Sequence, residues 1–490
     1  MENNEKAIIV HLNKQELEYD IWILIRAFYP GREIIVNEEK INEYTGEIDF
    51  IVNINVSDKS MHVHIEHAGI YFETSVNNKD SKMYKNQLKR LIYMAFEKYT
   101  GKTLPWGILT GIRPTKLCVN MLEHGMNDED IYDVLKNEYY VSDEKIALSI
   151  EISKRELKLL KDIDYNEGYS LYIGIPFCPT TCLYCSFTSY PISMYKNKSD
   201  DYVDALIEEI YFAKEIFKDK KLNTVYFGGG TPTALSDIQL DKILSAVREN
   251  FDFTYCQEFT VEAGRPDSIT REKLLVLKKH GVTRISINPQ TMKQETLDII
   301  GRRHTVEQVV ETYNLARELG FENINMDFIV GLPNENYDDV KNTMEEIIKL
   351  NPDSITVHSL AIKRAARLNM FKDKYKEMSI ENNMDIMNMT EQYARKMNMT
   401  PYYLYRQKNM AGNMENVGYA RVDKAGIYNI LIMEEKQTIL ALGAGAVTKY
   451  VFPESGRIER NSNVKNVDQY IERIHEMIEK KRSFLWEMLS

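Results

Sequence analysis

The chain has 490 residues, of which 43% are hydrophobic and 28% charged, so two or three domains with ample core are expected. Its formal net charge of −11 argues against a broad nucleic-acid-binding surface, and no nucleic-acid partner is expected. No apolar run approaches the ~20 residues that span a bilayer, and the start lacks the pattern of a secretory signal. These features predict a cytoplasmic protein without membrane insertion.

Three successive patterns divide the chain. In residues 1–165, helical periodicities and strand-like alternations follow one another, which predicts an N-terminal α+β domain. Residues 166–380 hold six short apolar strands separated by helices, which indicates a parallel sheet of the α/β class, open or closed into a barrel. Residues 381–490 predict a third, small C-terminal α+β domain packed on the preceding one, with one strand expected over ILIMEEKQTILALGAGAV.

Three of the five cysteines, Cys178, Cys182 and Cys185, lie together directly after the first of these six strands. In a reducing cytosol such a group is more often metal-binding or catalytic than disulfide-forming. Three thiolates are too few for a four-cysteine zinc site or a saturated iron–sulfur cluster, so one coordination position stays open. The spacing favours a three-ligand iron–sulfur cluster over zinc or unrelated thiols. Cys118 and Cys256 are interpreted as small buried side chains.

The C-x3-C-x2-C run, the FGGGTP at the end of the second strand and the six strand–helix units resemble the radical S-adenosylmethionine (SAM) superfamily. This resemblance implies a partial (β/α)6 TIM-like barrel as the core. It also implies a [4Fe–4S] cluster held by Cys178, Cys182 and Cys185, with SAM on the fourth iron. It further implies reductive cleavage of SAM to methionine and a 5′-deoxyadenosyl radical. The protein positions the cofactor and excludes water.

The segments YIGIPFC, FGGGTPT, VEAGRPDS, RISINPQT, GRRHT and MDFIVGLP are similar to the oxygen-independent coproporphyrinogen III dehydrogenases and heme chaperones, and HSLAIKRAARL and LTGIRPTKL resemble the HemZ-type members. By this resemblance Tyr172 is a catalytic residue beside the cluster and SAM. Glu262 suits the ammonium or ribose hydroxyls of SAM, and Arg302 suits its carboxylate. The implied SAM-binding residues are Gly229, Gly230, Thr231, Glu262, Gln290, Arg302, Asp327 and Ile329.

The implied reaction is the oxidative decarboxylation of coproporphyrinogen III to protoporphyrinogen IX in anaerobic heme biosynthesis. It requires an electron donor such as flavodoxin or ferredoxin, and an electron acceptor. The chain is expected to be a monomer. Because the substrate carries several propionates, its pocket should supply cations, and Arg364, Arg406 and Lys408 are the candidates.

Two positions depart from the pattern of the best-known coproporphyrinogen dehydrogenases. Phe187 stands where those proteins have a fourth cysteine, and Gly174 stands where they have a histidine. The C-x-F ending resembles the heme chaperones, so a protein that binds and delivers heme remains an alternative. A second alternative is another radical SAM enzyme that acts on a tetrapyrrole. Neither the missing cysteine nor the missing histidine is needed to bind the cluster or SAM.

Overall fold

The computed structural model describes residues 6–76, 81–111, 113–361, 366–370, 378–407, 410–452 and 455–489. The chain forms two compact units, Met1–Lys154 with Arg406–Met414, and Arg155–Tyr405 with Glu415–Ser490. The domain boundaries at residues 165 and 380 stay predictions. Within the described ranges, no helix combines the length and the apolar character needed to cross a bilayer.

The first unit contains an α+β arrangement. Its elements along the chain are β1 (Ala7–Leu12), α1 (Glu18–Phe28), β2 (Ile34–Ile35), α2 (Glu38–Glu43), β3 (Ile48–Val56), β4 (Ser60–Ile65), β5 (Ile70–Ser75), α3 (Ser81–Thr100), α4 (Thr115–Glu123), α5 (Asp128–Asn137) and α6 (Asp143–Leu160), the last of which contains the unit boundary. The sheet order is β2–β1–β3–β4–β5. The strands β3, β4 and β5 pair in antiparallel fashion, as their alternating patterns predict, whereas β1 pairs in parallel with β2 and β3.

The second unit carries the repeated strand–helix pattern. Its elements are β6 (Gly168–Ile175), β7 (Phe177–Cys178), β8 (Tyr190–Pro191), α7 (Ser199–Phe217), β9 (Lys221–Gly229), α8 (Asp237–Asn250), β10 (Glu258–Glu262), α9 (Arg271–Lys279), β11 (Arg284–Ser286), α10 (Gln294–Ile299), α11 (Val306–Glu318), β12 (Ile324–Val330), α12 (Tyr337–Leu350), β13 (Ser354–Ser359), α13 (Arg367–Met370), α14 (Met384–Lys396), β14 (Thr400–Tyr405), β15 (Asn416–Ala420), α15 (Ile427–Glu434), β16 (Thr438–Leu442), β17 (Val447–Val451), β18 (Ile458–Ser462), α16 (Val467–Glu472) and α17 (Ile474–Leu489).

Six parallel strands, in the order β6–β9–β10–β11–β12–β13, form the centre of an 11-stranded sheet. Their residues are buried almost throughout, because helices cover a parallel sheet on its faces. Capping boxes at Ser236, Thr305 and Asn336 start α8, α11 and α12, so local sequence sets where each loop ends. The predicted α/β class with a partial (β/α)6 barrel is confirmed.

The C-terminal strands extend this same sheet at both edges. At one edge β15 pairs antiparallel with β13, and β14 pairs with β15. At the other edge β16 pairs in parallel with β6, and β17 and β18 continue in antiparallel fashion. The six-stranded parallel sheet is therefore extended at both edges by strands that follow it in the chain, from Thr400 to Ser462.

One predicted strand is wrong in part. The ILIME portion of ILIMEEKQTILALGAGAV belongs to the helix α15, and TILAL forms the strand β16. A continuous apolar run fits a buried helix as well as a buried strand, so periodicity alone does not separate them. Here Ile430 and Leu431 are fully buried against Tyr402 and Tyr403, and this packing stabilises the helix.

Candidate active site

The cysteine-bearing loop leaves β6 and is closed at its base by two short strands. Phe177 and Cys178 of β7 pair with Tyr190 and Pro191 of β8. Beyond this base the loop is tied to the segment after α10: Leu183 N–H donates to the carbonyl of Ile300 at 2.9 Å, and the Thr180 hydroxyl donates to that of Gly301 at 3.0 Å. The loop is thereby held at the carboxyl ends of the parallel strands, where the sequence predicts the chemistry.

The three thiols lie in different electrostatic surroundings. The Thr231 hydroxyl donates to Cys178 Sγ at 3.4 Å, and Arg265 Nη1 donates to Cys182 Sγ at 3.6 Å. Burial raises the pKa of Cys178 and, to about 11, the pKa of Cys185. Buried thiols of this kind stay protonated until a metal displaces the proton.

The three free thiols lie on one loop, which fits a [4Fe–4S] cluster in which each thiolate binds a different iron. Three such ligands leave the fourth iron open.

The glycine run after β9 packs directly against the cysteine segment. Gly229 has a φ of 103°, which favours glycine. A β-carbon on Gly230 would lie 2.5 Å from the carbonyl oxygen of Phe177, and one on Gly229 would lie 3.3 Å from the Tyr172 hydroxyl. Glycine is therefore required by the chain's own backbone at this point, besides any approach to SAM. Thr231, with its bond to Cys178, completes this contact.

Four of the predicted SAM-binding residues lie at neighbouring strand ends. Glu262 is the last residue of β10, and Asp327 and Ile329 lie on β12. Gln290, which follows β11, has a positive φ of 68°. Its N–H donates to the Asp327 carbonyl at 3.1 Å, and its carbonyl accepts from Ile329 N–H at 2.9 Å. The predicted residues after β11 and on β12 are thus brought into direct contact.

The Glu262 carboxylate is half-buried beside a stack of tyrosines. Tyr226 donates to Glu262 Oε1, and burial raises the pKa of Glu262 to about 7. Tyr172 and Tyr226 are register partners on β6 and β9. The Tyr428 ring of α15 stacks on both, with centroid distances of 6.2 Å to Tyr172 and 4.3 Å to Tyr226. A carboxyl in this position would gain from a cationic ligand.

Tyr226 and Tyr428 were missed by the sequence reasoning. Tyr226 had a readable signal, because it precedes Gly228 by two residues on the same face of β9. Tyr428 had none, since its helix was taken for part of a strand and lies far from the motifs in the sequence. The stack shows that α15 contributes a side chain to the site.

Arg302 is buried on the cysteine side of the site. Its Nη1 donates to the carbonyls of Asn288 at 2.7 Å and Gly264 at 3.3 Å, and its Nη2 donates to the Tyr184 hydroxyl at 3.4 Å. Its Nε is buried without a hydrogen-bond partner among the described residues. A guanidinium with an unused donor fits an anionic group such as a carboxylate.

Of the three candidate propionate-binding cations, the structure describes one. Arg364 and Lys408 lie outside the described residues. Arg406 belongs to the first unit, where it is buried and donates to the carbonyl of Leu109 at 2.5 Å and to Asn413 Oδ1 at 2.6 Å. Its guanidinium also lies over the Trp106 ring. The propionate role of Arg406 stays a prediction, and these groups of its own unit already engage its guanidinium.

The residues present fit the cofactors that the sequence implies. Three thiols on one loop offer soft ligands for iron, and the Glu262 carboxylate accepts from Tyr226 and forms no ion pair with a described residue. SAM carries sulfonium and ammonium cations and a carboxylate, which complement Glu262, Asp327 and the free Nε of Arg302. Together the fold and this donor set define a radical SAM protein, and a family model described as the Radical SAM superfamily matches residues 172–347.

The relatives narrow the family. The chain is 41% identical over 459 residues to the oxygen-independent coproporphyrinogen-III oxidase-like protein HemZ of Bacillus subtilis, covering 90% of this chain and 92% of that protein. The chain belongs to this HemZ family of the radical SAM superfamily, and its cofactors are a [4Fe–4S] cluster and SAM.

More distant relatives cover the central part of the chain. The heme chaperone HemW of Bacillus subtilis is 37% identical over 39% of this chain and 50% of its own length. The oxygen-independent coproporphyrinogen III oxidase of Escherichia coli is 33% identical over 39% of this chain and 42% of its own length. A solved structure of coproporphyrinogen III oxidase from Escherichia coli has a TM-score of 0.52 at 24% identity, over 64% of this chain and 70% of that chain, which supports the fold.

Proposed function

We propose that this protein is an oxygen-independent coproporphyrinogen III dehydrogenase, which converts two propionates of coproporphyrinogen III to vinyl groups and yields protoporphyrinogen IX. The observation that carries the proposal is the likeness over 90% of the chain to a coproporphyrinogen-III oxidase-like protein. For each vinyl group the substrate loses one hydrogen atom, one CO2 and one electron. An external acceptor takes up the electron. The chain would work as a cytoplasmic monomer with a flavodoxin- or ferredoxin-like electron donor.

The roles of the chain's residues follow from their positions. Cys178, Cys182 and Cys185 would bind three irons and leave the fourth for SAM. When bound, the cluster and SAM together supply a radical that removes a hydrogen atom. Glu262 and Asp327 would hold the cationic and hydroxyl parts of SAM, and the further contacts would come from Gly229, Gly230, Thr231, Gln290, Arg302 and Ile329.

The tyrosine stack would shield this chemistry. Burial raises the pKa of Tyr172 and of Tyr428, so both stay protonated and neutral at every physiological pH. Three stacked rings present an apolar wall with few exchangeable groups, and exclusion of water protects a reactive radical. Tyr172 is the member that the proposal places beside the cluster and SAM, because its hydroxyl adjoins Gly229.

A heme chaperone is the second candidate. Phe187 replaces the fourth cysteine, and 69% of its surface is exposed, so it has no role in the core of the fold. An exposed aromatic ring two residues beyond Cys185 suits contact with an apolar ligand such as heme. In this alternative the cluster and SAM sites stay the same and no decarboxylation occurs.

The two candidates are separated by one anaerobic experiment. The reconstituted protein is given SAM, a reductant, an electron acceptor and coproporphyrinogen III, and tetrapyrroles and 5′-deoxyadenosine are analysed together. We expect protoporphyrinogen, with two deoxyadenosines per molecule. If this reaction gives no decarboxylated product, and a parallel titration of the same protein with heme shows stoichiometric binding, the chaperone is established instead.

We expect SAM affinity to depend on pH through Glu262. Its pKa of about 7 means that the carboxyl becomes neutral below that pH and then attracts a cationic ligand less. Affinity should therefore weaken as the pH falls, by up to about tenfold per pH unit below about pH 7. Equilibrium binding of SAM to the reconstituted protein between about pH 6 and about pH 8 measures this.

Substitution identifies the titrating group. Glu262→Gln should bind SAM more weakly and remove the pH dependence over this range. Glu295→Gln, which changes an exposed glutamate in the first turn of α10, is the matched control and should keep the wild-type profile. A Glu262→Gln variant with the wild-type profile would contradict the assignment.

A further inference from the structure

Arg265 is a buried cation whose donors all point to two places. Only 3% of its side chain is exposed. Its Nε and Nη2 bind both carboxylate oxygens of Asp267, at 2.9 and 2.8 Å. The remaining donors reach the cysteine loop: Nη2 donates to the Thr180 hydroxyl at 3.1 Å, and Nη1 donates to the Thr180 carbonyl at 3.3 Å and to Cys182 Sγ at 3.6 Å. Asp267 thus holds the guanidinium group of Arg265, with its fork of N–H donors, against Cys182.

This arrangement makes Cys182 unlike its neighbour Cys178. Two guanidinium groups act on Cys182, since the charge of Arg302 also interacts with its thiol. Cys178 receives a neutral hydroxyl, from Thr231. His304 adds no charge at neutral pH, because burial and the nearby Arg302 lower its pKa to about 3. The charges around Cys182 are therefore those of Arg265, Arg302 and Asp267.

We propose that Arg265, held by Asp267, sets the reduction potential of the [4Fe–4S] cluster by donating a charged hydrogen bond to the Cys182 thiolate. The inference rests on the cluster assignment and not on the identity of the substrate. Accepting one electron makes a cluster more negative, so a cation at its sulfur stabilises the reduced form. Hydrogen bonds to the sulfurs and the local net charge are the terms through which a protein adjusts this potential.

The test is a potentiometric titration of the reconstituted cluster, followed by electron paramagnetic resonance in the absence of substrate and SAM. Arg265→Met removes the positive charge and should shift the midpoint potential to a more negative value. Asp267→Asn removes the negative charge that faces Arg265 and should shift it to a more positive value. Arg265→Lys keeps the charge and loses the fork, so its shift should be smaller than that of Arg265→Met.

Arg271→Met is the matched control, because Arg271 is half-exposed and pairs with Glu318 at the surface. Its potential should equal that of the wild type. Opposite shifts are the decisive result, since mere loosening of the loop would move both variants in one direction. Equal shifts of Arg265→Met and Asp267→Asn, or no shift in Asp267→Asn, would overturn the proposal.

Measuring the iron content of each protein distinguishes a failure of this proposal from a failure of the cluster assignment on which it rests. If Arg265→Met takes up too little iron to titrate, the direction of the Asp267→Asn shift decides the matter. A wild-type chain that takes up no cluster would overturn the cofactor assignment and the proposal with it. If the wild-type chain holds the cluster but does not convert coproporphyrinogen III, the proposed function fails. The midpoint potentials of the variants still test the role of Arg265 in that case.

Discussion

Cys182→Ala should reduce bound iron and SAM cleavage to the background. Cys182 is buried, and two guanidinium groups adjoin its thiol, so this position is prepared for an anionic ligand. A three-cysteine cluster that already leaves one iron to SAM cannot lose another thiolate ligand and keep its structure. The measurements are iron and sulfide per chain after anaerobic reconstitution, and 5′-deoxyadenosine formed under reduction.

Cys256→Ala is the matched control. Cys256 lies before β10 and donates its S–H to the carbonyl of Glu258 at 3.2 Å, and burial raises its pKa to about 12. It should keep full iron content and full SAM cleavage. A Cys182→Ala protein that retained a stable four-iron cluster would show that the three cysteines are not the ligands.

Lys481→Met should destabilise the apoprotein by about 3–5 kcal/mol, because it leaves a buried carboxylate without its cation. Lys481 of α17 and Glu209 of α7 are both fully buried and form an ion pair. Glu209 further accepts hydrogen bonds from Gly443 N–H at 2.8 Å and from the Tyr470 hydroxyl at 2.6 Å. Denaturant unfolding of the variant and the wild type, both without iron, measures the difference.

An exposed ion pair supplies the control for this prediction. Arg482→Met removes a cation that pairs with Glu479 and Glu215 one residue further along α17, where these side chains are 40–66% exposed. Its cost should stay below about 1 kcal/mol. An equal cost for both variants would show that the buried pair has no special role.

The same pair bears on the active site. Gly443 follows β16, and Ala444 N–H donates to the Tyr202 hydroxyl at 3.2 Å, which in turn donates to the Gly174 carbonyl at 2.6 Å. Gly174 lies four residues before Cys178. The loss of Lys481 should therefore also weaken iron retention, because this chain of contacts supports the end of β6.

Local signals in the sequence determined much of the site. The spacing of Cys178, Cys182 and Cys185, the glycine run ending at Gly230 and the strand–helix rhythm each depend on neighbouring residues only. Periods of about 2 and 3.6 residues report strands and helices directly. In a parallel sheet, the positions where strands end then predict which side chains share one edge, and Glu262, Gln290 and Asp327 follow this rule.

The tertiary structure decided what depends on distant partners. Helix α15 over ILIM, the stacking of Tyr428 on Tyr226, the Arg265–Cys182 contact and the Glu209–Lys481 pair join segments that are far apart in sequence. Strand register and helix packing bring such residues together, and neither leaves a periodic signal in the residues themselves. An apolar run, a lone arginine or a lone glutamate has the same local sequence whether or not a partner meets it in the folded chain.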